Sequence, residues 1–147
     1  MTPHTPTGSE PNPNTRPAPW RALTVPLPAG ETHLLAPLRR IAAANLAAWG
    51  LPHGMTDDVL LALTELAANG LRHTSGPVRV RMFTDSASTY LQVEDTSAAE
   101  LLRRTGVDLA PERTHGFGLE IIEALASKTF SRVHPGEGKT ITAKFNH

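Results

Sequence analysis

The sequence predicts an α+β two-layer sandwich, in which helices cover one face of a mixed, mostly antiparallel sheet. Three observations lead there. Apolar and polar residues alternate around 78–82, 89–93 and 141–145, the period of a half-buried strand. Apolar residues recur at helical spacing over 38–49, 59–66 and 121–126. With 147 residues, 39% of them hydrophobic, the chain can close one ordinary core but hardly two.

Residues 1–19 are dominated by Pro, Thr, Asn and Gly, with almost nothing apolar to bury, and read as a disordered Pro-rich tail. A single domain then spans 20–147. Leu23, Val25 and Leu27 alternate as an edge strand stopped by Pro26 and Pro28. A first helix begins at Glu31 or Thr32, buries Leu38, Ile41, Ala42, Leu46 and Trp49, and ends at Gly50 and Pro52. A second starts with Thr56 as N-cap and Asp57 and Asp58 in its first turn, carries Val59, Leu60, Leu63 and Leu66 inward, and closes near Gly70. Val78, Val80 and Met82 form a strand that turns at 85–88 into Thr89, Leu91 and Val93, an antiparallel hairpin.

Between Thr96 and Thr114 the only structured candidate is 98–104, after which Gly106 and Pro111 mark a loop. A helix follows Gly118, with Ile121, Ile122, Leu125 and Ala126 on its buried side. Phe130 and Val133 precede a turn, HPGEG, and Ile141, Ala143 and Phe145 complete a terminal hairpin. Beyond the residues already placed inward, Leu119 is a further core candidate.

Composition excludes several classes of function. Fourteen basic and fourteen acidic residues cancel, so no net field draws the chain to nucleic acid or to an anionic membrane. There is no cysteine, hence no disulfide, thiol chemistry or cysteine-ligated zinc. No stretch approaches the roughly 20 apolar residues of a membrane span, and no signal peptide is evident at the start. A cytoplasmic protein is expected.

The densest chemistry lies at 65–73, ELAANGLRH. Glu65, Asn69 and His73 are four apart in succession and share one helix face, while Leu63, Leu66 and Ala67 point to the core. A carboxylate and a carboxamide so placed can orient a hydroxyl and hold an oxygen-loving cation beside phosphates. Alone, the same triplet is also the polar face of a solvated helix. Two other segments add to it. In VEDTS, Asp95 follows a strand, where a carboxylate can accept a hydrogen bond from a base amino group, although Asp also forms turns. In HGFGLEIIEALA, Gly116 and Gly118 open a helix, so that backbone amides can approach phosphate oxygens, although such glycines also serve flexible loops. Together the three could hold the two ends of ATP.

These motifs, TDDVLLALTELAANGLRHTSGPVRVRM, LQVED, THGFGLEIIEALA and GKTITAKF, resemble the Bergerat-fold (GHKL) ATPases, the superfamily of gyrase B, Hsp90, MutL and sensor histidine kinases. Within it the chain looks most like the anti-sigma-factor serine kinases of the RsbW and SpoIIAB type and their actinobacterial relatives. The resemblance runs from about Trp20 to Phe145 and implies ATP and Mg2+ as cofactors. It matches Glu65 to the carboxylate that activates the attacking hydroxyl, and Asn69 to the amide that coordinates the magnesium. His73 matches a position that lies near the phosphates or supports the helix end, Asp95 the carboxylate that recognises adenine, and Thr140 a hydroxyl beside the base. Gly116, Phe117, Gly118 and Leu119 fall on the second glycine motif. Arg113 and His115 fall in the lid before it, as phosphate-binding candidates or as charged loop residues facing water.

The chain departs from that pattern at Ser97 and Ala99, where relatives commonly carry glycine. A Cβ there could crowd the nucleotide or stiffen the loop, while Ser97 could still donate a hydrogen bond. The resemblance implies ATP-dependent serine/threonine kinase activity on a STAS-type anti-anti-sigma protein, with a sigma factor as the alternative partner. A noncatalytic adaptor with weak or no ATP binding is a second expectation, and a detached histidine-kinase catalytic domain a third. Trp20 and the outer side of the first helix are candidates for a protein interface or homodimer.

Overall fold

The computed structural model describes residues 21–96, 119–136 and 138–147. The expected tail, Trp20, the segment 98–104 and the loop after it lie outside these residues. Five strands, β1 (Arg21–Leu27), β2 (Val78–Thr84), β3 (Ser88–Asp95), β4 (Lys128–His134) and β5 (Gly138–Asn146), form one sheet in the order β1-β2-β3-β5-β4. Every described ladder is antiparallel. Helices α1 (Leu35–Ala48), α2 (His53–His73) and α3 (Leu119–Leu125) complete the α+β sandwich.

Alternation decides which side of each strand meets the helices. Val78, Val80 and Met82 of β2, Leu91 and Val93 of β3, and Ile141, Ala143 and Phe145 of β5 are buried against Leu38, Ala42 and Leu46 of α1 and Val59, Leu63, Leu66 and Ala67 of α2. On the other face lie Arg79, Arg81, Tyr90, Gln92, Phe130 and Arg132, each exposed or half-buried. Strand β1 is an edge and runs through Pro26 instead of stopping there, since an edge strand tolerates a missing N–H.

The first helix is prefaced by a 3-10 turn at Thr32–Leu34. Its end is a Schellman closure: Gly50 takes φ 74°, its N–H bonds to the Ala47 carbonyl at 3.1 Å, and Leu51 N–H reaches the Leu46 carbonyl at 3.4 Å. Ile41, expected in the core, is 45% exposed. The buried stripe is the narrow i, i+4, i+8 row Leu38, Ala42, Leu46, and Ile41 lies to one side of it.

The second helix begins four residues before the expected start, with Pro52 in the place expected of Thr56. Thr56 is not its N-cap: its N–H makes a helical bond to the Pro52 carbonyl at 3.1 Å, and its hydroxyl faces the same oxygen at 3.4 Å. The helix also continues past Gly70 to His73. Gly70 serves packing there, because a Cβ would stand 3.1 Å from Val78 Cγ2 and 3.8 Å from the Asp95 Cβ. Arg39 joins α1 to α2 through the Thr64 hydroxyl at 3.2 Å. In α3, Ile122 is buried and Leu125 partly buried, as is Ala126 just past the helix, while Ile121, one step of about 100° from Ile122, lies on the outer side and is 45% exposed.

The β2–β3 turn is fastened by Asp85, whose carboxylate accepts the N–H groups of Ala87 and Ser88, each at 2.8 Å. The bonds from Ala87 and then Ser88 hold its pKa below the ordinary 3.8. A lowered folded-state value means that this support is present above the unfolded carboxylate's pKa and is lost as pH falls through the lowered value. An NMR titration of the Asp85 carboxyl carbon should have its midpoint below 3.8; an ordinary midpoint would contradict this turn geometry. For the core, Leu91→Ala, at a site with 0% exposure, should cost about 2–5 kcal/mol in urea unfolding. Ile41→Ala should cost less than about 1 kcal/mol.

Candidate functional site

The C-terminal half of α2 lies across the place where β3 ends and β5 begins. Leu66 and Gly70 turn to the sheet, and Asn69 and His73 line the resulting cleft with them. Asp95, the last residue of β3, alternates with Leu91 and Val93 and so points to the helices; it is buried. Across the β3–β5 ladder its register partner is Lys139. Lys139 Nζ stands 3.9 Å from Asp95 Oδ2, with the two side chains only 11% and 5% exposed.

Local chain features hold Asp95 in place. Gly138 opens β5 at φ 128°, and a Cβ on it would run into the Asp95 carbonyl. On the other side, the Thr96 hydroxyl is 2.6 Å from the Thr74 hydroxyl, which also accepts Gly76 N–H at 3.1 Å. The residue after Asp95 is thereby tied to the segment that leaves α2. A Cβ on Gly76 would collide with the Thr96 side chain, so this approach also requires glycine.

Asn69, His73, Asp95 and Lys139 share one cavity with Leu66, Val93 and Ile141. Asn69 and His73 of α2 and Asp95 at the end of β3, all singled out from sequence, are therefore brought to one cavity. The cavity is about 10 Å³, room for about one water, so a nucleotide needs its walls to part. Glu65 lies one turn before Asn69 on α2, half-buried, and is not among the cavity-lining residues. The Asn69 Oδ1 accepts a hydrogen bond from Arg72 Nη2 at 3.0 Å.

Thr140, expected beside the base, is elsewhere. With Lys139 and Ile141 turned to the helices, the strand period sends Thr140 to the opposite face, where its hydroxyl is 3.1 Å from His134 Nε2. It lines a separate, open groove of about 550 Å³ with Arg81, Gln92 and Phe130. The residue that does face Asp95 is Lys139, and the inward run Ile141, Ala143, Phe145, extended back by one step of two, points to it. Ser97, Arg113, His115, Gly116, Phe117 and Gly118 lie outside the described residues, as does Ala99. Of Leu119 only the backbone, at the start of α3, is described.

The donor set suits a nucleotide in kind. Asp95 offers a buried acceptor for a base amino group, and Asn69 an amide oxygen of the sort magnesium takes alongside phosphate oxygens, with few protein ligands. Among the described residues no group of three or more His, Asp or Glu side chains could hold a metal by itself. No described helix is long and apolar enough to cross a membrane.

Comparison with known proteins bears on the fold and the family. No curated protein matches the chain. Among solved structures, one of the RsbU and RsbW domains of a Mycobacterium tuberculosis protein superposes with a TM-score of 0.59 at 19% identity, covering 84% of this chain. The matched region is 32% of that structure's own length, and the likeness is one of fold. Residues 27–145, which include β2 to β4, all of β5 but Asn146, the three described helices and the described residues of the cavity, match the histidine kinase-like ATPase domain, and the chain belongs to that family.

Proposed function

We propose that this chain binds ATP with Mg2+ and acts as an anti-sigma regulatory protein, a serine/threonine kinase that phosphorylates a STAS-type anti-anti-sigma protein and holds a sigma factor in alternation with it. The observation that carries the reading is the convergence of Asn69, His73 and Asp95 on one cavity. Likeness to RsbU and RsbW domains adds support at the level of fold.

Each residue's part follows from its chemistry. Asp95, as a buried carboxylate, accepts the adenine amino group, and burial removes the water that would compete for that bond. Asn69 would hold the metal through its amide oxygen, which in this structure accepts a hydrogen bond from Arg72. Bound magnesium would neutralise phosphate charge. Glu65, one turn back along α2, orients the hydroxyl of a protein serine for in-line attack and takes its proton. His73, which lines the cavity, is assigned with the backbone amides near Gly116 and Gly118 to the phosphates. The outer side of α1, where Ile41 is exposed, is assigned to a sigma factor or a second copy of the chain.

A second reading, the noncatalytic adaptor, is favoured by two observations. The cavity is about 10 Å³, and both acceptors assigned to ATP and its metal lie beside cations of the chain itself, Lys139 and Arg72. Calorimetric titration with Mg·ATP separates the two. Saturable micromolar binding is expected of the ATP-dependent regulator, and no heat at millimolar nucleotide would establish the adaptor. In a phosphotransfer assay against STAS-domain proteins, Glu65→Ala should lower transfer by about 100-fold or more while leaving ATP affinity within a few-fold. Asn69→Ala should weaken binding in the presence of magnesium and leave metal-free binding little changed. Undiminished transfer by both variants would sink the mechanism.

A further inference from the structure

We propose that Lys139 is the second base-reading group of this site: while Asp95 accepts the exocyclic amino group of adenine, the Lys139 ammonium donates to the ring nitrogen beside that amino group. The proposal rests on the nucleotide reading above and specifies the part of the ligand that the site recognises.

Four observations carry it. Lys139 is the register partner of Asp95 in the β3–β5 ladder, so both side chains leave adjacent strands toward the same side. Their charged atoms are 3.9 Å apart, an ion pair longer than a hydrogen bond, so that ammonium and carboxylate stand side by side. Both side chains are nearly buried, where a hydrogen bond to the ligand meets little competition from water. Thr140, the neighbouring hydroxyl, faces away and is bonded to His134, so it cannot take this role.

The complementarity is chemical. An ionised carboxylate only accepts, and an ammonium offers three donors and no acceptor. Side by side they match a ligand edge that presents a donor next to an acceptor. Adenine does so in either orientation, because its amino group is flanked by the acceptors N1 and N7. The four-carbon stem of Lys139 is flexible enough to withdraw as a base enters the small cavity, with the ammonium remaining at the edge of the ring. Asp95 then keeps a cation nearby throughout, which avoids stranding a buried charge.

The test uses nucleotide analogues on the full chain. Binding of ATP, 1-deaza-ATP and 7-deaza-ATP, each with magnesium, is measured by calorimetry for the wild type, Lys139→Met and Lys139→Arg. For the wild type, one of the two deaza analogues should bind about tenfold or more weaker than ATP, the loss of one charge-assisted hydrogen bond. In Lys139→Met, ATP should weaken to the level of that analogue and the difference should vanish; Lys139→Arg should retain part of it. The wild-type series does not depend on any variant folding. Equal affinity of the wild type for all three nucleotides would overturn the proposal, as would an analogue penalty that persists in Lys139→Met. Tighter ATP binding by Lys139→Met would also overturn it, by showing that the lysine merely obstructs Asp95. Absence of nucleotide binding by all three proteins would remove the nucleotide reading itself, a result distinct from equal binding of the analogues.

Discussion

The close approach of α2 to the end of the β3–β5 ladder is the constraint on which the candidate site depends. Gly70 allows that approach, because a Cβ there would crowd the Val78 side chain. Gly138 allows β5 to start alongside Asp95 in a backbone conformation that L side chains rarely adopt. The Thr74–Thr96 contact closes the far side. Two glycines and a pair of hydroxyls therefore determine where a buried carboxylate meets the polar face of a helix. The larger core beneath them, from Leu38 to Phe145, supplies the rigidity.

The polar groups gathered there are not left bare. Lys139 stands by Asp95 and Arg72 donates to Asn69, so each acceptor of the site already faces a cationic side chain. A buried carboxylate without a nearby cation would be costly, and a ligand that brings a donor or a metal must take over from these groups. The exchange is easier at Asn69, where Arg72 is exposed, than at Asp95, where both partners are buried from solvent. The base end and the metal end of the proposed ligand are thus held with different stringency.

Most of the fold was legible because strand periodicity is simple. Val78 to Met82 and Leu91 to Val93 show their alternation without interruption, and the turn at Asp85 carries its own acceptor. Helical faces were harder to read. Ile41 and Ile121 are apolar and near the right spacing, yet one step of about 100° moves each out of the core, and only the packed neighbours show how wide the buried stripe is. Thr56 has the chemistry of an N-cap, but Pro52 precedes it by one turn and starts the helix earlier. In the candidate site, Asn69, His73 and Asp95 could be singled out by residue type. Thr140 stands where the family resemblance expects a hydroxyl beside the base, whereas strand phase places Lys139 inside. Gly70 looked like a terminator because its packing partner, Val78, lies in another element.

Pro26 gives the sheet an asymmetry. It sits on β1, the outermost strand next to β2, and proline on such a strand places its missing donor at the rim. A foreign strand adding there would find an incomplete hydrogen-bonding template, and Pro28 follows directly beyond the strand. Edge-to-edge polymerisation through that border is thereby discouraged, so oligomers are more readily built through side-chain surfaces than by prolonging the sheet past β1.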